Sequence, residues 1–496
     1  MSEVDSIEEP GLGRRAARGA AVTLGAQGAK VVIQVASVVV LARLLDPHDY
    51  GLIAMVVAVI GIGELLRDFG LSSAAIQAPT LSIHQRDNLF WINTGIGVVL
   101  GVLVYFIGAP LLASLYSQPD LIPIAHALSL IFVVNGLTTQ YRADLVRRLK
   151  FSRLALADVL GPAIALALAI VAAVLGWGYW ALVVQQLGQA VVLLVIISIS
   201  AHWLPGRPRR HVPLRELVRF GGNLVATQLV GYISNNVDSF TIGIRFGATS
   251  LGFYSRAFQL LMTPLNQVRI PLTTVALPVL ARLSSDVKRF GDYIAQGQIG
   301  LGYTLVAGLG LVVSAAHPIT AIFLGSKWLT VAPILSLLAL AGIFQILAFV
   351  GYWVYIARGL TRDLLRYTLV SSAIKVACIL VGSQWGVIGV AAGYAVAPAL
   401  SWPISLWWLS RRTELPVRRL YGGAGRILAA VSSSAAAAGA TVYFLHALSP
   451  IVQLCAAAAV MIAVYALLSL LVPPIRRDLA TVISLVSLIP ARGRRA

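Results

Sequence analysis

The chain has 496 residues, of which 58% are hydrophobic and only 11% charged, with 38 Lys+Arg against 19 Asp+Glu and a net charge of +19. A soluble domain carries about 25% charged residues, so an ordinary water-soluble globule is excluded, and the mean hydropathy of +0.85 points to a polytopic membrane protein. The positive charge does not describe a nucleic-acid surface, because it is spread over many short segments and not gathered on one face.

In chain order, residues 1–18 read as a cytoplasmic tail, acidic and then basic, with no apolar core before Arg18 and so not a signal peptide. About fourteen apolar spans follow, near 20–44, 51–66, 88–113, 121–141, 156–176, 179–202, 217–243, 251–280, 297–324, 329–356, 364–384, 387–409, 424–446 and 449–472. Their lengths suit bilayer-crossing helices. Backbone groups in lipid must be satisfied within the segment, which selects helix; a β-barrel would need shorter, alternating segments. The fold class expected is an all-α polytopic membrane protein of about 14 transmembrane helices.

The charge fixes the orientation. Thirty-one of the 38 basic residues fall in alternate gaps, while the intervening gaps hold only Arg43, Arg245 and Lys327. By the positive-inside rule the first set of gaps is cytoplasmic. Both termini then lie inside, and the expected location is the cell inner (cytoplasmic) membrane. The outward gaps, such as Asp46–Tyr50 and Gly176–Gly178, are too short for an external domain. Cys378 and Cys455 sit in separate spans and imply neither disulfide nor metal site.

A repeat runs through the chain at an offset of about 200 residues. Pro110-Leu-Leu-Ala113 followed by Leu128-Ser-Leu130 matches Pro318-Ile-Thr-Ala321 followed by Leu335-Ser-Leu337; Tyr50-Gly-Leu52 after Arg43 matches Leu251-Gly-Phe253 after Arg245. Six spans separate the copies, an even number, so the two halves have the same orientation, a parallel repeat. The expected organisation is a first six-helix lobe over 19–203, an inter-lobe linker over 204–216, a second six-helix lobe over 217–410, an appended helix pair over 411–474 and a basic cytoplasmic tail over 475–496.

Polar residues recur on single faces of three spans. Gln27, Lys30, Gln34 and Ser37 line one face of span 1; Gln228, Ser234, Asn235 and Asp238 line span 7; Arg256, Gln259, Asn266 and Gln267, with Arg269 close by, line span 8. Polar faces turn away from lipid, toward a shared interior. The competing role for the neutral groups is interhelical hydrogen bonding. It suits the cations less well, since a centrally buried cation costs several kcal/mol unless paired or hydrated. Glu64, Arg67 and Asp68 close span 2 at helical spacing; they read either as a cytoplasmic gate or as a local ion-pair cluster. Gly95, Gly97 and Gly101 look like a nucleotide loop, but inside an apolar span they read as close helix packing. There is no phosphate loop with Lys-Ser/Thr, no Gly-x-Ser-x-Gly and no pair of histidines at metal spacing, so no enzyme and no catalytic residue is expected.

The stretch Leu41-Ala-Arg-Leu-Leu-Asp-Pro-His-Asp-Tyr-Gly-Leu52, then Asp68-Phe-Gly-Leu71, Ala75-Ile-Gln77 and Leu89-Phe-Trp-Ile-Asn93, resembles the polysaccharide transporter family, and within it the Wzx-type branch of lipopolysaccharide and colanic-acid exporters. Asp238, Gly252-Phe-Tyr-Ser-Arg-Ala257 and Pro278-Val-Leu-Ala-Arg-Leu283 extend the resemblance, which covers roughly residues 15–420. It implies two six-helix lobes plus two extra helices, within the multidrug/oligosaccharidyl-lipid/polysaccharide exporter superfamily, with helices 1, 2, 7 and 8 lining a central cavity. It also implies a flippase for a polyprenyl-pyrophosphate-linked oligosaccharide, with glycosyltransferases and a polymerase of the same pathway as partners. No cofactor is expected, and a coupling ion stays open. On this reading Lys30, Arg256 and Arg269 are the substrate-binding cations, and Gln27, Gln34, Gln228, Asn235, Asp238, Gln259 and Asn266 line the cavity. A small-molecule or drug antiporter of the same superfamily is the alternative.

Overall fold

A computed structural model describes residues 12–68, 71–77, 81–209 and 215–487. The ends of both expected tails and residues 210–214 of the expected linker lie outside the described residues.

The described chain is helical from end to end, with no strand. The first helices are α1 (Leu12–Leu44), α2 (Pro47–Asp68), α3 (Leu71–Gln77), α4 (Ile83–Leu103), α5 (Ala109–Tyr116), α6 (Leu121–Arg147), α7 (Phe151–Val174) and α8 (Trp180–Ala201). They are followed by α9 (Arg215–Arg282), α10 (Val287–Leu301), α11 (Ala307–Ser314), α12 (Ala316–Phe323), α13 (Val331–Ala357), α14 (Thr361–Gly382), α15 (Gly386–Arg412), α16 (Val417–Phe444), α17 (Pro450–Leu471) and α18 (Pro473–Ser487). Eleven runs among the described residues are long and apolar enough to cross a membrane. One of them, Thr361–Arg412, holds both α14 and α15. Gly247, at φ 77°, breaks α9 into arms over 215–246 and 248–282. Two short helices were not expected from the apolar pattern, α3 and α18, because neither is long enough to register as a span. The expected ninth span, 297–324, is one helical run from Val287 interrupted at Ala315.

The repeat appears in the backbone as well as in the sequence. A π-helical turn at Val104–Gly108 joins α4 to α5, and another at Gly302–Val306 joins α10 to α11. Left-handed residues recur in pairs: Ser117 and Gly325, Leu149 and Gly359, Gly176 and Gly386. The members of each pair lie 208 to 210 positions apart, at the ends of matching helices. α6 and α13 are both 27 residues long and begin at Leu121 and Val331.

The contacts divide the chain into two compact units, one ending at Gly252 and the other beginning at Phe253. The first unit therefore includes the first arm of α9, which the sequence pattern had assigned to the second lobe. The reason is packing: the Tyr232 hydroxyl donates to the Ala58 carbonyl at 3.1 Å, and a side-chain carbon on Gly61 would strike the Tyr232 ring. The linker is also tied to the first unit. The Asn88 amide donates to the Arg209 carbonyl at 2.7 Å and accepts from the Arg209 N–H at 2.9 Å, while Trp91 Nε1 donates to the Gly206 carbonyl at 2.8 Å. In the second unit, α16 and α17 pack on α11 and α12 through Ala315, Ala438, Ala457 and Met461.

Two glycine contacts set helix spacing in the first unit. Gly97 lies against the Phe132 carbonyl of α6, where a Cβ would approach to 2.4 Å, so the glycine run of α4 is a packing surface, as expected. Gly51 and Gly252 form a reciprocal crossing at the starts of α2 and the second arm of α9. A Cβ on Gly51 would lie 1.7 Å from the Ala248 carbonyl oxygen, and one on Gly252 would lie 1.8 Å from the Pro47 carbonyl oxygen. Both pairs, Pro47 with Ala248 and Gly51 with Gly252, are 201 positions apart, so the two copies of one repeat element meet each other here.

Alanine normally favours a helix over glycine by about 1 kcal/mol, but the contact reverses the sign at the crossing. Gly51→Ala and Gly252→Ala are each expected to destabilise the protein by about 1–3 kcal/mol, read as a lower melting midpoint in detergent. The opposite sign is expected for Leu149→Gly. Leu149 holds φ 54° in an exposed turn where its repeat partner is Gly359, and relief of the left-handed backbone should raise stability by about 1 kcal/mol.

Candidate functional site

Each unit contains an arginine anchored in the same way. In the first unit Arg67, near the end of α2, donates from Nε to Glu64 Oε2 at 3.0 Å. Its Nη1 reaches α6, donating to Thr139 Oγ1 at 2.6 Å and to the Asn135 carbonyl at 3.2 Å. In the second unit Arg269, on the second arm of α9, donates to Asn266 Oδ1 at 3.1 Å and to Gln345 Oε1 of α13 at 3.0 Å. Arg269 lies 202 positions after Arg67, and Asn266 lies 202 after Glu64. Asn135 and Gln345 are each the fifteenth residue of their 27-residue helices. The second terminus of each helix repeats the pattern: Arg147 Nη1 donates to the Ala75 carbonyl and Arg358 Nη1 to the Ser284 carbonyl, both at 2.6 Å. An arginine at a helix C-terminus also suits the helix dipole.

The two central anchors differ in charge. Arg67 is buried and paired with a carboxylate. Arg269 is held only by neutral amides, with no carboxylate at ion-pair distance among the described residues. Its guanidinium carbon lies 5.4 Å from the centre of the Phe349 ring, and its Nε is buried without a hydrogen-bond acceptor. Thr273 fixes the backbone beside it: the hydroxyl donates to the Arg269 carbonyl at 2.9 Å and accepts from Trp353 Nε1 at 3.2 Å. The first copy is electrically closed and the second keeps a net positive charge.

The other expected site residues are placed as follows. Glu64 and Arg67 form an ion pair, but Asp68 turns away and accepts from the Ser72 hydroxyl at 2.8 Å. Arg67 therefore ties α2 to α6, which is a structural task whatever else the cluster does. In span 1, Gln27, Lys30 and Gln34 are half-buried, and Ser37 accepts from Gln185 Nε2 of α8 at 2.6 Å, so part of this stripe joins helices. Lys30 forms no ion pair with a described residue. On the first arm of α9, Asp238 is buried while Gln228 and Asn235 are exposed. On its second arm Arg256 and Gln259 are half-buried and Asn266 is exposed. Sequence reading missed Gln345, the interhelical acceptor for Arg269. The signal available was its register with Asn135 in the repeat.

The family model described as "Polysaccharide biosynthesis protein" matches residues 40–333. The chain belongs to this family. Among curated relatives, the lipopolysaccharide biosynthesis protein WzxC of Escherichia coli (strain K12) is 25% identical over 73% of this chain and 74% of its own length. The teichuronic acid biosynthesis protein TuaB of Bacillus subtilis (strain 168) is 28% identical over 70% of this chain and 72% of its own. Among solved structures, the lipid II flippase MurJ in an inward closed conformation superposes with a TM-score of 0.68 at 15% identity, covering 90% of this chain and 98% of that one. A multidrug resistance MATE family transporter in an inward-facing conformation gives 0.61 at 16% identity, covering 81% and 99%. The family and these folds agree with the resemblance drawn from the sequence motifs.

Removing Arg67 leaves the half-buried Glu64 without its ion-pair partner, a change that costs about 1–3 kcal/mol. Arg67→Ala is expected to lower the melting midpoint and membrane level of the protein strongly, while the double variant Glu64→Gln/Arg67→Gln recovers much of the loss. Equal destabilisation in the single and double variants would contradict the anchor role.

Proposed function

We propose that this protein is a flippase that exports a polyprenyl-pyrophosphate-linked oligosaccharide, a lipopolysaccharide or exopolysaccharide repeat unit, across the cytoplasmic membrane by alternating access. The observation that carries the proposal is Arg269, an arginine in the apolar stretch 251–280 read from the sequence as a span, whose charge is left unmatched by the two amides that hold it. A diphosphate is the kind of group such a cation attracts: charge-assisted hydrogen bonds to phosphate are strong and directional, and the attraction grows as the dielectric falls. Lys30 and Arg256 are the further candidate cations, and Gln27, Gln34, Gln228, Asn235, Asp238, Gln259 and Asn266 supply amides and a carboxylate suited to sugar hydroxyls. The lipid tail would stay in the bilayer, and no covalent step is required. WzxC and TuaB, named for lipopolysaccharide and teichuronic acid biosynthesis, support the reading, as does a succinoglycan biosynthesis transport protein, ExoT of Rhizobium meliloti (strain 1021), 24% identical over 62% of either chain. We place the termini in the cytoplasm from the charge of the gaps. The drug-antiporter alternative shares the fold, but export of cationic compounds would favour an unmatched carboxylate over an unmatched arginine.

The test uses a strain lacking this protein and measures surface polysaccharide together with the lipid-linked repeat unit retained inside. Arg269→Gln is expected to lower export about tenfold, the loss of one charge-assisted hydrogen bond, at unchanged protein level. Asn266→Glu places a carboxylate three residues before Arg269, as Glu64 stands before Arg67, and is expected to reduce export similarly while leaving the melting midpoint intact or raised. Normal export in both variants, and in Lys30→Ala and Arg256→Ala, would remove the cation assignment.

A further inference from the structure

A second basic site lies apart from these cations, among α10, α16 and α18. The three helices enclose a cavity of about 250 Å³ lined by Gln298, Arg419, Arg426, Arg477, Asp478 and Thr481, among others. Its walls are partly built. Asp478, on α18, is buried and receives Arg426 through both oxygens, Nε at 2.7 Å and Nη2 at 3.1 Å. The Tyr303 hydroxyl adds a longer donation to Asp478 Oδ2 at 3.4 Å. Arg419 is paired with Asp292. The charges of Arg426 and Arg419 are thus matched inside the protein.

Two groups are not. Arg477 is exposed and has no carboxylate at ion-pair distance among the described residues. Gln298 is 2% exposed, yet its Nε2 has no hydrogen-bond acceptor. A buried amide N–H without an acceptor costs about 1–3 kcal/mol, so its place on the cavity wall calls for an acceptor inside the cavity. One net positive charge, a buried donor and a small polar volume together describe a receptor for a singly charged oxyanion.

We infer that this cavity binds the phosphodiester of an anionic glycerophospholipid. A phosphodiester carries one negative charge, which matches Arg477, and its free oxygens can accept from Gln298. The volume admits a phosphate with part of its glycerol but not acyl chains. Those would leave along the apolar C-terminal end of α17, which leads into α18 and where Leu467, Leu470 and Leu471 are exposed. α18 brings Arg477 and Asp478 to the site, so headgroup binding would hold this terminal helix against α10 and α16. Basic pockets between membrane helices are a recurring way of holding anionic headgroups. The inference does not depend on the flippase reading.

The experiment uses the full chain, purified in detergent, with native mass spectrometry and melting curves in the presence of phosphatidylglycerol, phosphatidylcholine or inorganic phosphate. Wild-type protein is expected to retain phosphatidylglycerol in preference to phosphatidylcholine and to melt higher with it. Arg477→Gln, at an exposed position that should not affect folding, is expected to weaken retention about tenfold, the loss of one charge-assisted contact. Gln298→Leu removes the donor at similar size and is expected to weaken it while raising the lipid-free melting midpoint. Equal retention of the two lipids by the wild type, or unchanged retention in both variants, overturns the inference. Stabilisation by inorganic phosphate without any preference for phosphatidylglycerol also overturns it, by assigning the cavity to a soluble phosphate.

Discussion

A cation within a helix bundle the thickness of a bilayer must find acceptors on a neighbouring helix or remain hydrated, because lipid offers neither. Each unit answers this constraint around one long helix. α6 receives Arg67 at its middle and carries Arg147 at its end; α13 receives Arg269 at its middle and is followed by Arg358. The arginines bind these posts to the helices preceding them in the chain. The rest of each unit packs around a spacing that these contacts and the close-packed glycines fix.

The duplicated architecture has diverged in charge while keeping its geometry. The backbone retains the same π-turns and left-handed positions in both copies. At the central anchor, Asn266 stands in the second unit where Glu64 stands in the first, and the Gln345 side chain accepts where a backbone carbonyl and a hydroxyl accept in the first. The same scaffold thus serves as a closed structural tie in one unit and leaves an open charge in the other. Within the first unit, Gly51 and Gly252 cross where only hydrogen atoms fit between backbones. The crossing uses equivalent residues, since matching positions 201 apart both carry glycine.

Much of the fold was legible in the sequence, since hydropathy and charge periodicity report the bilayer directly. Spans, short gaps, the glycine packing of α4 and the offset of the repeat all came from residue pattern. Membership of the polysaccharide biosynthesis family came from dispersed motifs whose tasks are now visible in part. Trp91 pins the linker, Tyr50 and Leu52 are core, and Gly51 and Gly252 form the crossing. The site was less legible. Arg269 and Asn266 could be singled out as polar residues in an apolar span, but Gln345 could not, because one glutamine in α13 has no local periodicity to mark it. Likewise Glu64, Arg67 and Asp68 looked like one cluster, yet only two of them pair. The third side chain accepts instead from the Ser72 hydroxyl.

Sequence alone determined what the solvent dictates: a helical membrane protein, the alternation of its basic gaps and the two related halves. Each follows from transfer energies summed over many residues, so no single contact can overturn them. Tertiary structure decided which polar groups are consumed and which remain. Arg67 and Arg269 are alike in the chain, and only their surroundings, a carboxylate for one and two amides for the other, separate a structural tie from an available charge. Whether Arg426 and Arg477 act together was likewise decided by α18 folding back to bring Asp478 to the first and leave the second unmatched. Pairing depends on distances of a few ångströms between residues far apart in the chain, and that information exists only once the helices are packed.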